Sequence, residues 1–294
     1  MDDLTVMREI APSAQVAAGA VVGPFCVVGP NAVIGPRTRL GARTTVTGWT
    51  TLGSDNDIGE GCVLGAPPQD LKYAGAPTRL MIGHRNRLGR FVTAHVGTEF
   101  GGYLTRIGSD NVLHDGCHVA HDCYVDDRTV LGADVLLAGH IRICSGAVVE
   151  ERCGVHHYVT VGSHARVGRC TPVRRDVPPF ALFAARNYDW QGSPSVVGAH
   201  EEGIDAAKLA PWERRELREA LRDLFEDEAA LQTKIEQLVN IGVEGAAADL
   251  CRFCLRSLQG LYGRCRESYR GAAPPEALQY LPPELQAVIR RSKP

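Results

Sequence analysis

Aliphatic residues recur every six positions through most of the first 173 residues, usually followed by glycine or another small residue. One run contains Ile10, Val16, Val22, Val28, Ile34, Leu40, Val46, Leu52, Ile58 and Leu64. The register breaks, resumes at Ile82 and Leu88, and then holds without interruption from Ile107 through Val119, Leu137, Val155 and Val161 to Val173. A period of six matches neither a helix of about 3.6 residues per turn nor plain two-residue alternation. The prolines of Gly23-Pro24, Gly29-Pro30 and Gly35-Pro36 also exclude continuous helix. The pattern suits a short strand plus a turn, with one aliphatic side chain sent inward per side. Three sides close a triangular coil of eighteen residues, and successive coils pair as parallel strands about 4.8 Å apart. Residues eighteen positions apart therefore stack.

Two segments interrupt the register, Ala66 to Met81 and about Val96 to Arg106. Both are predicted to protrude as loops, and loops on a rigid scaffold are the first places to look for ligand contact. After Val173 the hexads end at Arg175-Asp176-Val177-Pro178-Pro179. The chain is read as a β-helix domain over 1–184, an irregular linker over 185–210 and a small C-terminal helical domain over 211–294. In the last, Leu217, Leu221, Leu224 and Phe225 mark one apolar face, Leu231, Ile235 and Leu238 continue it, and Leu250, Phe253, Cys254, Leu258 and Leu261 mark another. These helices are expected to cover the strand edges that the last coil leaves open.

Composition narrows the function. A net charge of -2 over 294 residues excludes a globally basic nucleic-acid binder. No stretch approaches the roughly twenty apolar residues of a membrane span, and Met1-Asp2-Asp3-Leu4 carries neither a basic segment nor an apolar run. A cytoplasmic protein without stable membrane insertion is expected. Ten cysteines are scattered without a disulfide framework or zinc-knuckle spacing, and read as buried free thiols.

Histidines gather in the second run: His114, His118, His121, His140, His156 and His157. Stacking sets His121 against Gly139, with His140 beside it, so an imidazole lies about one strand spacing from a backbone N–H that no side chain shields. Acyl transfer needs this combination, a base for the attacking hydroxyl and a donor for the tetrahedral oxyanion. Histidine titrates near neutral pH. Asp122, the next residue, can orient the imidazole or stabilise its protonated form.

Four ordered motifs carry a resemblance: Gln69-Asp70-Leu71-Lys72-Tyr73-Ala74-Gly75, His118-Val119-Ala120-His121-Asp122-Cys123, Leu137-Ala138-Gly139-His140, and Asp176-Val177-Pro178-Pro179-Phe180. Over about residues 8–180 the chain resembles the UDP-N-acetylglucosamine O-acyltransferases, hexapeptide-repeat enzymes of the first step of lipid A synthesis; Arg256-Ser257-Leu258-Gln259-Gly260-Leu261 adds a weaker match. The resemblance implies a mainly β fold, a left-handed parallel β-helix of hexapeptide repeats followed by a small α-helical domain. It alone supplies the hand. It implies transfer of an (R)-3-hydroxyacyl chain from acyl carrier protein to the 3-position of a UDP-GlcNAc-like sugar nucleotide by a homotrimer, with no metal or diffusible cofactor. By the same resemblance His121 is the general base, the Gly139 amide holds the oxyanion, and Gln69, Asp70 and Lys72 contact the sugar nucleotide. His95, His118, His140 and His156 match family histidines.

The departures are specific. The family's His-Gln-Phe reads His156-His157-Tyr158 here. Between Phe180 and Trp212 the residues that the family uses on uracil and phosphate have no clean counterpart, which leaves the accepted amino sugar open. Arg169 occupies a position resembling a glycine beside the acyl tail of long-chain members, so shorter acyl chains are expected. Arg166, Arg169, Arg174 and Arg175 offer positive charge to an acidic carrier protein. Three other readings compete: an N-acyltransferase acting on a UDP-amino sugar, a zinc-binding trimer of the γ-carbonic anhydrase type, and a non-catalytic β-helix trimer.

Overall fold

The computed structural model describes residues 7–185, 193–226 and 230–260. Its backbone hydrogen bonds build the expected triangular coil. Three sheets run along the axis: a first face of nine strands beginning at Glu9–Ile10, a second of eight beginning at Gln15–Val16, and a third of ten beginning at Val21–Val22. Most strands are two residues long, with the second residue buried and the first facing out. Val119 pairs with Leu137, Leu137 with Val155 and Val155 with Val173, all parallel and all buried in one column. Each such aliphatic side chain contributes about 1.5–3 kcal/mol of burial. The architecture is a left-handed parallel β-helix followed by helices.

The eighteen-residue spacing fails at two places. Val63 pairs with Thr93 and Thr93 with His118, steps of thirty and twenty-five positions. Both insertions fall at the corner between the first and second faces, as loops over 67–78 and 96–103. They are shorter than the interruptions in the hexad pattern. Arg79–Ile82 and Leu104–Ile107 are four-residue strands paired in register, with Leu80 and Leu104 adding buried side chains outside the period of six.

Several inward polar residues at the corners bond to local backbone and side-chain groups. The thiols of Cys26, Cys62, Cys117, Cys123 and Cys153 donate to backbone carbonyls 3.0–3.1 Å away. All described cysteines are free, and burial pushes the Cys117 and Cys123 thiols up to about 12. At the corner between the second and third faces the side chains of Asn56, Asn86 and Asn111 form a buried ladder: the Asn86 N–H donates to Asn56 Oδ1 at 3.0 Å, and the Asn111 N–H to Asn86 Oδ1 at 2.9 Å. Outside the same corner Arg85 makes a two-pronged pair with Asp110.

Beyond the hexads, the described part of the segment read as an irregular linker is ordered. Ser195–Ala199 pairs antiparallel with Ala181–Ala184 and closes the third face. Among the described residues four helices follow: α1 (Glu201–Ala206), α2 (Pro211–Phe225), α3 (Leu231–Ile241) and α4 (Gly245–Leu258). Pro211 opens α2, where Glu213 accepts the Ala210 N–H, and Gly242 ends α3 at φ 83°. Leu217, Leu221, Leu224, Ile235, Leu238, Leu250 and Cys254 pack with Phe180 and Ala181 of the final coil, which covers this end as expected. Phe225 is only partly buried and Leu258 is exposed, while Leu261 lies outside the described residues. Ser257 Oγ donates to Asp176 Oδ2 at 2.6 Å and ties α4 to the coil. No described helix is long and apolar enough to cross a membrane.

Replacing Asn86 by Ala strips the Asn111 N–H of its buried acceptor and the Gly108 carbonyl of one of its two donors. It should cost about 1–3 kcal/mol, read as a lower thermal midpoint. Arg85→Ala, which removes only an exposed pair, should leave the midpoint within experimental scatter.

Candidate active site

At the corner between the first and second faces, above the two insertions, successive coils stack His121, Gly139 and His157 in one row and Asp122, His140 and Tyr158 in the next. The second row occupies the left-handed region, with φ of 59°, 63° and 65°. Its members turn the chain while holding side chains outward. The His140 ring stacks on Tyr158 at 4.6 Å and meets the His121 ring edge-on at 5.2 Å.

His121 Nδ1 lies 2.8 Å from Asp122 Oδ2, and both side chains are buried. The Asp122 carboxylate also accepts the Thr98 backbone N–H at 2.8 Å and the Thr98 hydroxyl at 2.7 Å, while the Asp122 N–H donates to Thr105 Oγ1. The carboxylate is thus surrounded by hydrogen-bond donors. With Nδ1–H donating to Asp122 Oδ2, the His121 Nε2 lone pair is left free. A Cβ at Gly139 would sit 2.5 Å from His121 Cε1 and 2.8 Å from Nε2, so no other residue fits beside the undisplaced ring. Among the described residues the Gly139 N–H has no hydrogen-bond acceptor. His140 Nδ1 stands 3.8 Å from Asp122 Oδ2, and ligand atoms of His121, Asp122 and His140 lie within 4.8 Å of one another, a set that could hold a cation.

A cleft of about 560 Å³ opens over this corner and the adjoining first face. His118, His121, His156 and His157 line it with Gly139, Gln69 and Arg174; Leu136, Gly154 and Pro172 form an apolar floor. Of the residues singled out by sequence, these are the ones brought together. His140 stands behind His121. His95 is buried, edge-on to His118 at 5.0 Å, and burial with repulsion from His118 and His121 lowers its pKa to about 4. His118 is also lowered, by burial and then by His121, and its Nδ1 lies 2.7 Å from Thr93 Oγ1. Asp70 and Lys72 are outside the cleft lining, on the 67–78 loop, where Asp70 Oδ1 accepts the Lys72 N–H at 2.9 Å. His114 sits exposed at a different corner.

Arg169 is not among the lining residues. It lies at the corner between the third and first faces, 3.4 Å from Glu151 and 3.8 Å from Glu150. Arg166 is paired with Glu150 as well, so of the four arginines read as a positive patch two are neutralised and Arg174 alone lines the cleft. Of the segment between Phe180 and Trp212 read as departing from the family, residues 186–192 lie outside the described residues. Sequence reasoning missed Thr93, Thr98, Thr105 and Glu99. The available signal for the three threonines was their short hydroxyl side chains in and beside an insertion loop, the type that bonds local polar groups.

No family model matches the chain. It is 41% identical over 160 residues to the acyl-[acyl-carrier-protein]--UDP-N-acetylglucosamine O-acyltransferase of Verminephrobacter eiseniae, covering 54% of this chain and 61% of that relative. It is 34% identical over 198 residues to the enzyme of the same name from Burkholderia orbicola, covering 67% and 73%. The structure of LpxA from Acinetobacter baumannii superposes with a TM-score of 0.78 at 30% identity, covering 87% of this chain and 96% of that one. With the coil, the terminal helices and the likeness all in agreement, the chain belongs to the UDP-N-acetylglucosamine O-acyltransferase family.

Proposed function

We propose that the chain transfers an (R)-3-hydroxyacyl group from acyl carrier protein to the 3-hydroxyl of a UDP-GlcNAc-like sugar nucleotide, in the cytoplasm and as a homotrimer. The observation that carries this reading is the His121 imidazole against the unshielded Gly139 amide. His121 Nε2 takes the proton of the sugar hydroxyl as its oxygen adds to the thioester carbon. The Gly139 N–H donates to the resulting oxyanion. On collapse the C–S bond breaks, and the carrier thiolate recovers the proton from Nε2. Asp122 keeps Nδ1 protonated and offsets the positive charge that develops on the ring. Burial keeps His95 and His118 neutral near pH 7, so they do not repel that charge.

Gln69, Asp70 and Lys72 on the 67–78 loop, with His118, His140, His156 and His157, serve the sugar nucleotide in this reading. His157 replaces the family's amide with an imidazole beside the nucleotide. The acyl chain crosses the floor of Leu136, Gly154 and Pro172 toward the corner of Arg169, which limits its length.

The decisive measurement is a mass-spectrometric assay that crosses hydroxyacyl carrier proteins with UDP-sugars carrying a 3-hydroxyl or a 3-amine. Wild type should acylate the hydroxyl, and preferential acylation of the amine would make the chain an N-acyltransferase. His121→Ala should lower turnover by about 10²–10⁴-fold. Gly139→Ala, whose Cβ displaces the ring, should cost about 10²–10³-fold with the fold intact by circular dichroism.

In the same assay wild type should favour shorter donors and Arg169→Gly should move the preference to longer ones. A wild-type enzyme that works best on the longest donors would refute the role of Arg169.

His95 also makes stability depend on pH. Its folded pKa lies below the ordinary 6.5, at about 4, so the unfolded chain binds the proton first as pH falls. Its contribution is complete above about pH 6.5 and is lost from there down to about pH 4. The thermal midpoint of wild type should drop across that window, and that of His95→Gln should drop less.

A further inference from the structure

The eighteen-residue stacking that explains the histidine rows does not explain how the inserted loops are held to them. The turn over 96–103 does. Thr98 and Glu99 are consecutive, yet they reach in opposite directions. Thr98 gives both its backbone N–H and its hydroxyl to the Asp122 carboxylate, at 2.8 and 2.7 Å. Glu99 Oε1 accepts the N–H groups of Ala74 at 3.2 Å and Ala76 at 3.0 Å, on the loop that carries Gln69 into the cleft.

The turn itself is closed. Gly101 N–H donates to Thr98 Oγ1 at 3.0 Å and Tyr103 N–H to Thr98 O at 2.9 Å. Its base is pinned by Val96 N–H on Ala66 O and Gly97 N–H on Arg79 O. The backbone presses so closely on Asp122 that a Cβ at Gly101 would fall 1.8 Å from the carboxylate carbon. One short segment thus touches both the partner of the imidazole and the ligand loop, and it does so through separate side chains.

We infer that Thr98 and Glu99 form a two-sided bracket: Thr98 is a positioning residue for the Asp122–His121 pair, and Glu99 is a positioning residue for the 67–78 loop and so for sugar-nucleotide affinity. The inference rests on the acyl-transfer reading of the site. Because the two arms diverge, their kinetic effects separate. The Thr98 arm acts on the reacting step through the orientation of the imidazole. The Glu99 arm acts on binding. Among the described residues Glu99 Oε2 has no hydrogen-bond partner, so a glutamine oxygen in place of Oε1 preserves the whole connection.

The test uses the full chain with four substitutions. Thr98→Val, which keeps shape and backbone donor but removes the hydroxyl, should lower kcat about tenfold or more with KM for the sugar nucleotide within about twofold, and Thr98→Ser should restore it. Glu99→Ala should raise that KM about tenfold with kcat within about twofold, and Glu99→Gln should restore it. Variants that shift both constants together, or conservative replacements that do not rescue, would overturn the bracket.

A second measurement does not need turnover. Hydrogen exchange of the Ala74 and Ala76 amides should accelerate about tenfold or more in Glu99→Ala and stay unchanged in Thr98→Val. The imidazole ¹⁵N signals of His121 should change in Thr98→Val alone. If the wild-type chain transfers no acyl group, the functional reading fails while exchange and imidazole signals still decide the bracket; unaltered exchange in Glu99→Ala would overturn it regardless of activity.

Discussion

Hydrogen bonding between consecutive coils is the constraint from which the rest of the molecule follows. Each short strand gives its amides to the strand one coil away, so axial separation is set by the backbone and lateral position by counting eighteen. Any residue's neighbours along the axis are then fixed before its side chain is considered. That is why an imidazole at 121 meets a glycine at 139, and why the carboxylate at 122 lies under the ring at 140. It is also why glycine is required at 139: the coil spacing leaves no room for a Cβ beside the His121 ring.

The electrostatics of the corner follow from the same close packing. A buried carboxylate is tolerated only when its lone pairs meet donors, and Asp122 meets three: the Thr98 amide, the Thr98 hydroxyl and the His121 ring. The nearby His95 and His118 are driven toward the neutral form by burial. A single carboxylate thus orients the proposed base, and its own donors fix its position. Such a prearranged polar site requires no reorganisation as charge develops.

Both insertions occur at this one corner, directly below the stacked histidines. A rigid solenoid offers a flat and repetitive surface, and loops at a single corner turn part of that surface into a cleft with a distinct chemical character. Elsewhere the arginines at the end of the helix serve local needs: Arg166 and Arg169 face Glu150 and Glu151, while Arg174 borders the cleft.

The sequence alone determined the coil, its register, the location of both insertions, the apolar faces of the helices and the pairing of His121 with Gly139, because a period of six converts sequence distance directly into spatial neighbourhood. Handedness came from family likeness, since spacing is the same for either hand. Tertiary structure alone decided what reaches across the interruptions. Thr98 and Thr105 act on Asp122 from an inserted loop and the strand after it, where counting by eighteen no longer applies, and the Ser195–Ala199 strand forms because the last coil leaves an edge to be paired. Side-chain choice was likewise undecided by spacing: whether Arg169 faces the cleft or two glutamates depends on charges brought together only when the coils stack.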